Sequence, residues 1–169
     1  MAPEATSVEA IQESARIEQR LRLESRHKNG AGWFFWIAGL SLINSIAAIS
    51  GSTWGFIFGL AVTQIVDAIA HTVGGGVATV AAVVIDVFIA GVLVFLGVFA
   101  RKGHLWAYWV GMVLYAMDGL VSLLATYWLG IAFHAFALYS IYQGLAARKQ
   151  LRALASASGA QAAQARTIG

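Results

Sequence analysis

The feature that most constrains this chain is a long run almost without charge, from residue 31 to residue 147. The run contains five charged side chains, which are Asp67, Asp86, Arg101, Lys102 and Asp118. In the whole chain 59% of residues are hydrophobic and 11% are charged, whereas charged residues make up roughly a quarter of a typical soluble domain. Helices satisfy their own backbone hydrogen bonds in lipid. The sequence therefore predicts an all-α, polytopic helical bundle in a membrane.

The apolar run divides into segments of bilayer length. Residues 31–50 form the first clear span and residues 77–100 form the second. Residues 105–147 are too many for one helix, because a helix rises about 1.5 Å per residue and the hydrocarbon core is about 30 Å thick. This last segment predicts two spans, 105–126 and 128–147, with a tight turn near residues 127–130.

The segment 54–73, WGFIFGLAVTQIVDAIAHTV, decides the topology. If it spans the membrane, the bundle has five spans, and the basic residues at 101–102 and 148–149 lie outside the cell. If it is a re-entrant or interfacial helix, the bundle has four full spans and every basic group is cytoplasmic, as the positive-inside rule favours. We predict four spans with one re-entrant or interfacial helix, and keep five spans as the alternative.

The two ends of the chain differ from the apolar run. Residues 1–29 begin with acidic and end with basic side chains, which predicts an amphipathic cytoplasmic helix. Residues 31–149 form the predicted transmembrane bundle, and residues 150–169, rich in Ala, Ser, Gly and Gln, predict a flexible tail. With four spans both termini lie in the cytoplasm, and the predicted location is the bacterial inner membrane.

Polar residues within the apolar segments fall at similar depths, roughly 9–14 Å below the outer surface at 1.5 Å per residue. A charged side chain at the centre of a span costs about 2.5–3.5 kcal/mol, so we expect these groups to face the bundle. They predict an outward-facing pocket, closed below by apolar side chains, that binds a cation or a small polar ligand. The predicted site residues are Asn44, Gln64, Asp67, His71, Asp86, Tyr115, Asp118 and His134.

The same residues permit other functions. Asp67 and His71 have the spacing of two metal ligands on one helical turn, or of a hydrogen-bonded pair. The candidate ligands for a divalent transition metal are Asp67, His71, Asp86, Asp118 and His134. A metal would favour a membrane-embedded enzyme, whereas a proton relay would favour a small transporter or a proton-coupled permease.

The remaining alternative is an accessory subunit in which polar groups only join helices. The chain has no cysteine, which excludes thiolate zinc and iron–sulfur sites. The basic residues lie beside apolar segments, so the expected partners are the lipid bilayer and a second copy or another membrane subunit, rather than nucleic acid.

Overall fold

The computed structural model describes residues 3–50, 60–124 and 128–168, and within these ranges every regular element is a helix. Each helix except the second contains a stretch long and apolar enough to cross a membrane. The second has 13 residues, which gives about 20 Å, less than the thickness of a bilayer core. The prediction of four spans and one shorter helix is therefore confirmed. The helices are α1 (Pro3–Ile49), α2 (Ala61–Val73), α3 (Gly76–Arg101), α4 (Leu105–Leu124) and α5 (Trp128–Ile168).

Two of the helices are longer than the sequence predicted. α1 runs without a break from the predicted cytoplasmic segment into the first span. α5 continues to Ile168 as a helix that is exposed from Arg152 onward, where we expected the chain to fray. Alanine is the strongest helix former, and it dominates this last segment. The flexibility of the segment stays a prediction. Residues 54–59 of the segment 54–73 lie outside the described residues, as does residue 127, the first of the turn predicted near 127–130. Residues 128–130 of that predicted turn belong to α5 instead.

The three groups of basic residues meet at one end of the bundle, which we call the basic end (residues 26–28, 101–104 and 148–149). The ring Nε2 of His27 lies 3.2 Å from the carbonyl oxygen of Arg101. The Arg148 side chain donates from Nε to the carbonyl oxygen of Gly103 at 3.1 Å. These contacts join α1, α3 and α5, so the structure has the arrangement that four spans require.

A tightly packed layer lies next to the basic end. The backbones of α1 and α5 are in direct contact at Gly30 and Gly144. The contact is so close that a Cβ atom on Gly30 would lie only 2.5 Å from the Cα atom of Gly144. The Tyr108 hydroxyl lies 2.8 Å from the carbonyl oxygen of His27, and the tyrosine is fully buried. This layer continues into the apolar core that we predicted below the polar residues. Its large buried members are Phe34, Ile37, Leu93, Leu96, Tyr108, Ile141 and Leu145.

Candidate functional site

The short helix α2 begins inside the bundle and ends at its surface. Leu60, directly before α2, is 5% exposed, whereas Val73 at its end is 72% exposed. The backbone N–H of Leu60 donates to Ser41 Oγ at 2.9 Å. Ser41 lies eight residues before the end of α1, so α2 starts about 12 Å inward from that end. α2 therefore runs from the interior of the bundle to its surface without crossing the bundle.

The connection from α2 to α3 requires glycine. Gly74 and Gly75 have φ angles of 72° and 85°, a region that side chains other than glycine rarely adopt. This turn lets α3 begin at Gly76, immediately after α2 ends. The pattern Gly74-Gly75-Gly76 thus reverses the chain at the end opposite the basic end.

Asp118 of α4 caps the buried start of α2. The backbone N–H of Ala61 donates to Asp118 Oδ2 at 2.8 Å, and the N–H of Val62 donates to Oδ1 at 2.9 Å. The first N–H groups of a helix have no partner within the helix, and they carry a partial positive charge. The carboxylate of Asp118 satisfies two of these donors and opposes that charge. It acts as an N-cap supplied by another helix.

His134 of α5 is the third partner of Asp118. Its Nε2 lies 2.8 Å from Asp118 Oδ2, and its Nδ1 lies 2.7 Å from the carbonyl oxygen of Gly130. A carbonyl oxygen can only accept, so Nδ1 carries a hydrogen. A second proton must then lie between Nε2 and the carboxylate, whichever atom holds it. The imidazole also stacks on the ring of Tyr115, with centroids 4.5 Å apart, and it fits against α4 where Gly119 has no side chain.

A second carboxylate cluster joins α1, α2 and α3. Asp86 is 1% exposed, and its Oδ2 accepts a hydrogen bond from Ser45 Oγ at 2.6 Å. Its other oxygen, Oδ1, has no hydrogen-bond partner among the described residues. Asp67, on α2 and so outside the four spans, faces Asp86 and Ser45. Burial, together with the negative charge of Asp86, raises the pKa of Asp67 to about 6. The carboxyl group of Asp67 therefore holds a proton more readily than an exposed aspartate does.

The structure divides the predicted site residues between two clusters. One contains Tyr115, Asp118 and His134, and the other contains Asp67 and Asp86. Asn44 is buried on α1 one residue before Ser45, while Gln64 and His71 are exposed on α2. In the described part of the chain, no three His, Asp or Glu side chains are close enough to hold a metal ion. The five candidate metal ligands thus do not gather at one point.

Sequence reasoning missed two serines of α1 that connect the clusters. Ser41 holds the start of α2, and Ser45 binds Asp86. A usable signal was present, because Ser41, Asn44 and Ser45 have the i, i+3, i+4 spacing of one helix face. A polar face on an otherwise apolar span indicates contact with other polar groups inside the bundle.

The chain matches no family model, no curated protein and no solved structure. Its chemistry must be inferred from the two clusters. The hydrogen-bonding capacity of Asp118 is used by α2 and His134. Asp86 retains a buried oxygen beside a second carboxyl group, which is an arrangement that can bind a cation.

Proposed function

We propose that this integral membrane protein binds a cation, in the simplest case a proton, between Asp67 and Asp86 in an outward-facing polar pocket. The observation that carries the proposal is the buried Oδ1 atom of Asp86, which has no hydrogen-bond partner among the described residues. A buried carboxylate is costly unless it is paired, and a second carboxyl group beside it adds repulsion. A proton or a small inorganic cation between the two groups would reduce both costs.

The basic end supports a pocket that opens outward. Lys and Arg concentrate on the cytoplasmic side of bacterial inner-membrane proteins, and the basic groups of α1, α3 and α5 lie together. Both termini are then cytoplasmic, and the carboxyl pair opens toward the opposite side. The aromatic residues Trp106 and Trp109 near the start of α4 would belong to the cytoplasmic interface.

Cysteine labelling tests this orientation directly, because the chain has no cysteine of its own. Thr72, near the end of α2, and Lys102, at the basic end, are both exposed. In intact cells we expect an impermeant maleimide to label the Thr72→Cys variant and to spare Lys102→Cys until the membrane is opened. The reverse pattern would turn the carboxyl pair toward the cytoplasm and overturn the outward-facing assignment.

The pH dependence of stability tests the carboxyl pair. The pKa of Asp67 rises from an ordinary 3.8 to about 6 in the folded protein, so between those values the folded state binds more protons than the unfolded state. The free energy of unfolding must therefore fall as the pH rises through this window. We expect Asp67→Asn to remove this decrease and to be more stable than the parent above the window. Thermal unfolding in a neutral detergent, followed across this pH range, measures both effects.

Matched variants identify the bound cation. Glu13→Gln removes an exposed carboxylate of α1 and should leave the pH dependence unchanged. At a pH above the window, stabilisation by added sodium, potassium, calcium or magnesium in the parent, and its loss in Asp86→Asn, would indicate an inorganic cation. An unaltered pH dependence in Asp67→Asn, with no stabilisation by these cations in the parent, would contradict cation binding. Proton flux in reconstituted vesicles would further separate a transporter from a fixed binding site.

A structural role is favoured for the other cluster. Asp118 and His134 join α2, α4 and α5 through contacts of 2.8–2.9 Å, and such contacts are those expected of an accessory subunit whose polar groups hold helices together. In this function Asp118 positions α2, and α2 in turn carries Asp67 toward Asp86. The two clusters then have separate tasks, one in support and one in binding.

A further inference from the structure

A groove of about 630 Å³ runs along the exposed side of α1 near the basic end. It is separate from both carboxylate clusters. Its lining combines two cationic side chains, Lys28 and Arg101, with apolar and aromatic side chains, among them Trp33, Trp36 and Leu40. Gly32 adds no side chain to the floor between them. The groove therefore has the chemistry of a site for an amphiphile rather than for a purely polar ligand.

Among the described residues, no carboxylate forms an ion pair with the cationic part of the groove. In the described ranges the ion pairs are Arg20–Glu24, Arg22–Glu18 and Asp118–His134, and none includes Lys28 or Arg101. Both side chains are exposed. The guanidinium carbon of Arg101 lies 5.0 Å from the centroid of the Phe35 ring, a contact that holds the group beside α1 and leaves its N–H donors available. Two cationic side chains that line the same groove suit a phosphate group.

The apolar part of the groove begins where the cations end. Trp33, Trp36 and Leu40 follow Lys28 along α1, and Phe133 of α5 closes one side. The distance along α1 from Lys28 to Leu40 is about 18 Å at 1.5 Å per residue, which accommodates a headgroup and part of an acyl chain. Trp36 is 68% exposed, and tryptophan at a membrane interface lies at the level of lipid headgroups.

We propose that this groove binds an anionic phospholipid of the leaflet at the basic end. Lys28 and Arg101 hold its phosphate, and one acyl chain lies along Trp33, Trp36, Leu40 and Phe133. Basic pockets between transmembrane helices are the ordinary sites for anionic headgroups on the cytoplasmic side. The apolar side chains of the groove favour a lipid over free phosphate, because free phosphate has no acyl chain to pack against them. This proposal does not depend on the carboxyl pair, since the groove shares no residue with it.

Native mass spectrometry tests the proposal with phosphatidylglycerol as the probe. The purified full-length protein is incubated in neutral detergent with phosphatidylglycerol, or with phosphatidylcholine for comparison. We expect the parent to retain phosphatidylglycerol preferentially. The double variant Lys28→Gln/Arg101→Gln should bind it about tenfold or more weakly, because each basic residue contributes to attraction of anionic lipid. Equal retention of the two lipids by the parent would overturn the proposal.

The chain offers a closely matched control. Lys102→Gln/Lys149→Gln removes two exposed positive charges from the same end. Each of these lysines lies over an aromatic ring, as Arg101 does, at 5.5 Å from Phe99 and 5.3 Å from Trp109. Neither lysine lines the groove. We expect the control to retain phosphatidylglycerol, and an equal loss in both double variants would reveal unspecific attraction and contradict the site.

Two further measurements address the apolar side chains of the groove. Trp36→Ala keeps both cations and changes an exposed side chain, so it should fold normally and still bind phosphatidylglycerol more weakly than the parent. Inorganic phosphate and glycerol phosphate should fail to displace the bound lipid. Full affinity in Trp36→Ala, or displacement by either free phosphate, would show that only a phosphate group is recognised and would overturn the lipid proposal.

Discussion

Replacing Asp118 with alanine should lower the free energy of unfolding by about 3–5 kcal/mol, the range measured when one partner of a buried ionic pair is removed. The substitution leaves the N–H groups of Ala61 and Val62 without their acceptor, and it leaves His134 without its carboxylate. A positive imidazole or an unpaired helix start inside an apolar bundle is costly. Unfolding in mixed detergent micelles, followed by helical circular dichroism, measures the loss.

Asp118→Asn separates capping from charge. Its amide oxygen can still accept from one of the two N–H groups at the start of α2. The negative charge beside His134 is lost, and we expect a smaller loss of stability than in Asp118→Ala. Hydrogen exchange should accelerate first in α2, because Ala61 and Val62 depend on this cap. Undisturbed exchange in α2 of Asp118→Ala, with stability equal to that of the parent, would contradict the capping role.

Much of the fold could be predicted from the sequence, because bilayer thickness and charge placement leave few alternatives. The span predicted at 77–100 is the helix Gly76–Arg101, and the span predicted at 105–126 is Leu105–Leu124. The requirement that all basic groups share one end also identified α2 as the segment that does not span. These features depend on length and charge alone, and both can be read without knowing which helices touch.

The contacts of the polar residues could not be predicted in the same way. Similar depth suggested one site, but depth does not determine how each helix is rotated about its axis. Lipid and protein core are both apolar, so hydropathy gives little information about that rotation. Asp67 and His71 share a face of α2 by spacing, yet the last turn of α2 reaches the surface and exposes His71. The result is two clusters instead of one.

Long-range packing also explains why α1 is continuous. Asn29 and Gly30 are poor helix formers, and they lie where the sequence analysis placed the boundary between the cytoplasmic helix and the first span. In the structure Gly30 is buried against Gly144, and no side chain could occupy its place. Tertiary packing outweighs local propensity here, and the glycine that weakens the isolated helix is what allows α1 and α5 to meet.

Substituting alanine for Gly30 should therefore destabilise the bundle by about 1–3 kcal/mol, the usual cost of overpacking a core. The added Cβ atom would lie 2.5 Å from the Cα atom and 2.8 Å from the nitrogen of Gly144. Both are backbone atoms that cannot rotate away, so α1 and α5 must separate. That separation would also weaken the contact between Tyr108 and His27, which lies in the same layer. Unfolding in mixed micelles measures the change.

Gly39→Ala provides the matched control, because it makes the same change on the same helix at a position where the new Cβ would meet no atom of a neighbouring helix within 4 Å. Alanine favours helix by about 1 kcal/mol over glycine, so this variant should be as stable as the parent or more stable. Gly144→Ala should resemble Gly30→Ala, since its Cβ atom would lie 2.7 Å from the Cα atom of Gly30. If Gly30→Ala and Gly39→Ala proved equally stable, the close crossing of α1 and α5 would be wrong. The position of α1 relative to the two carboxylate clusters would then need another explanation. α1 contributes Ser41, which binds the start of α2, and Ser45, which binds Asp86.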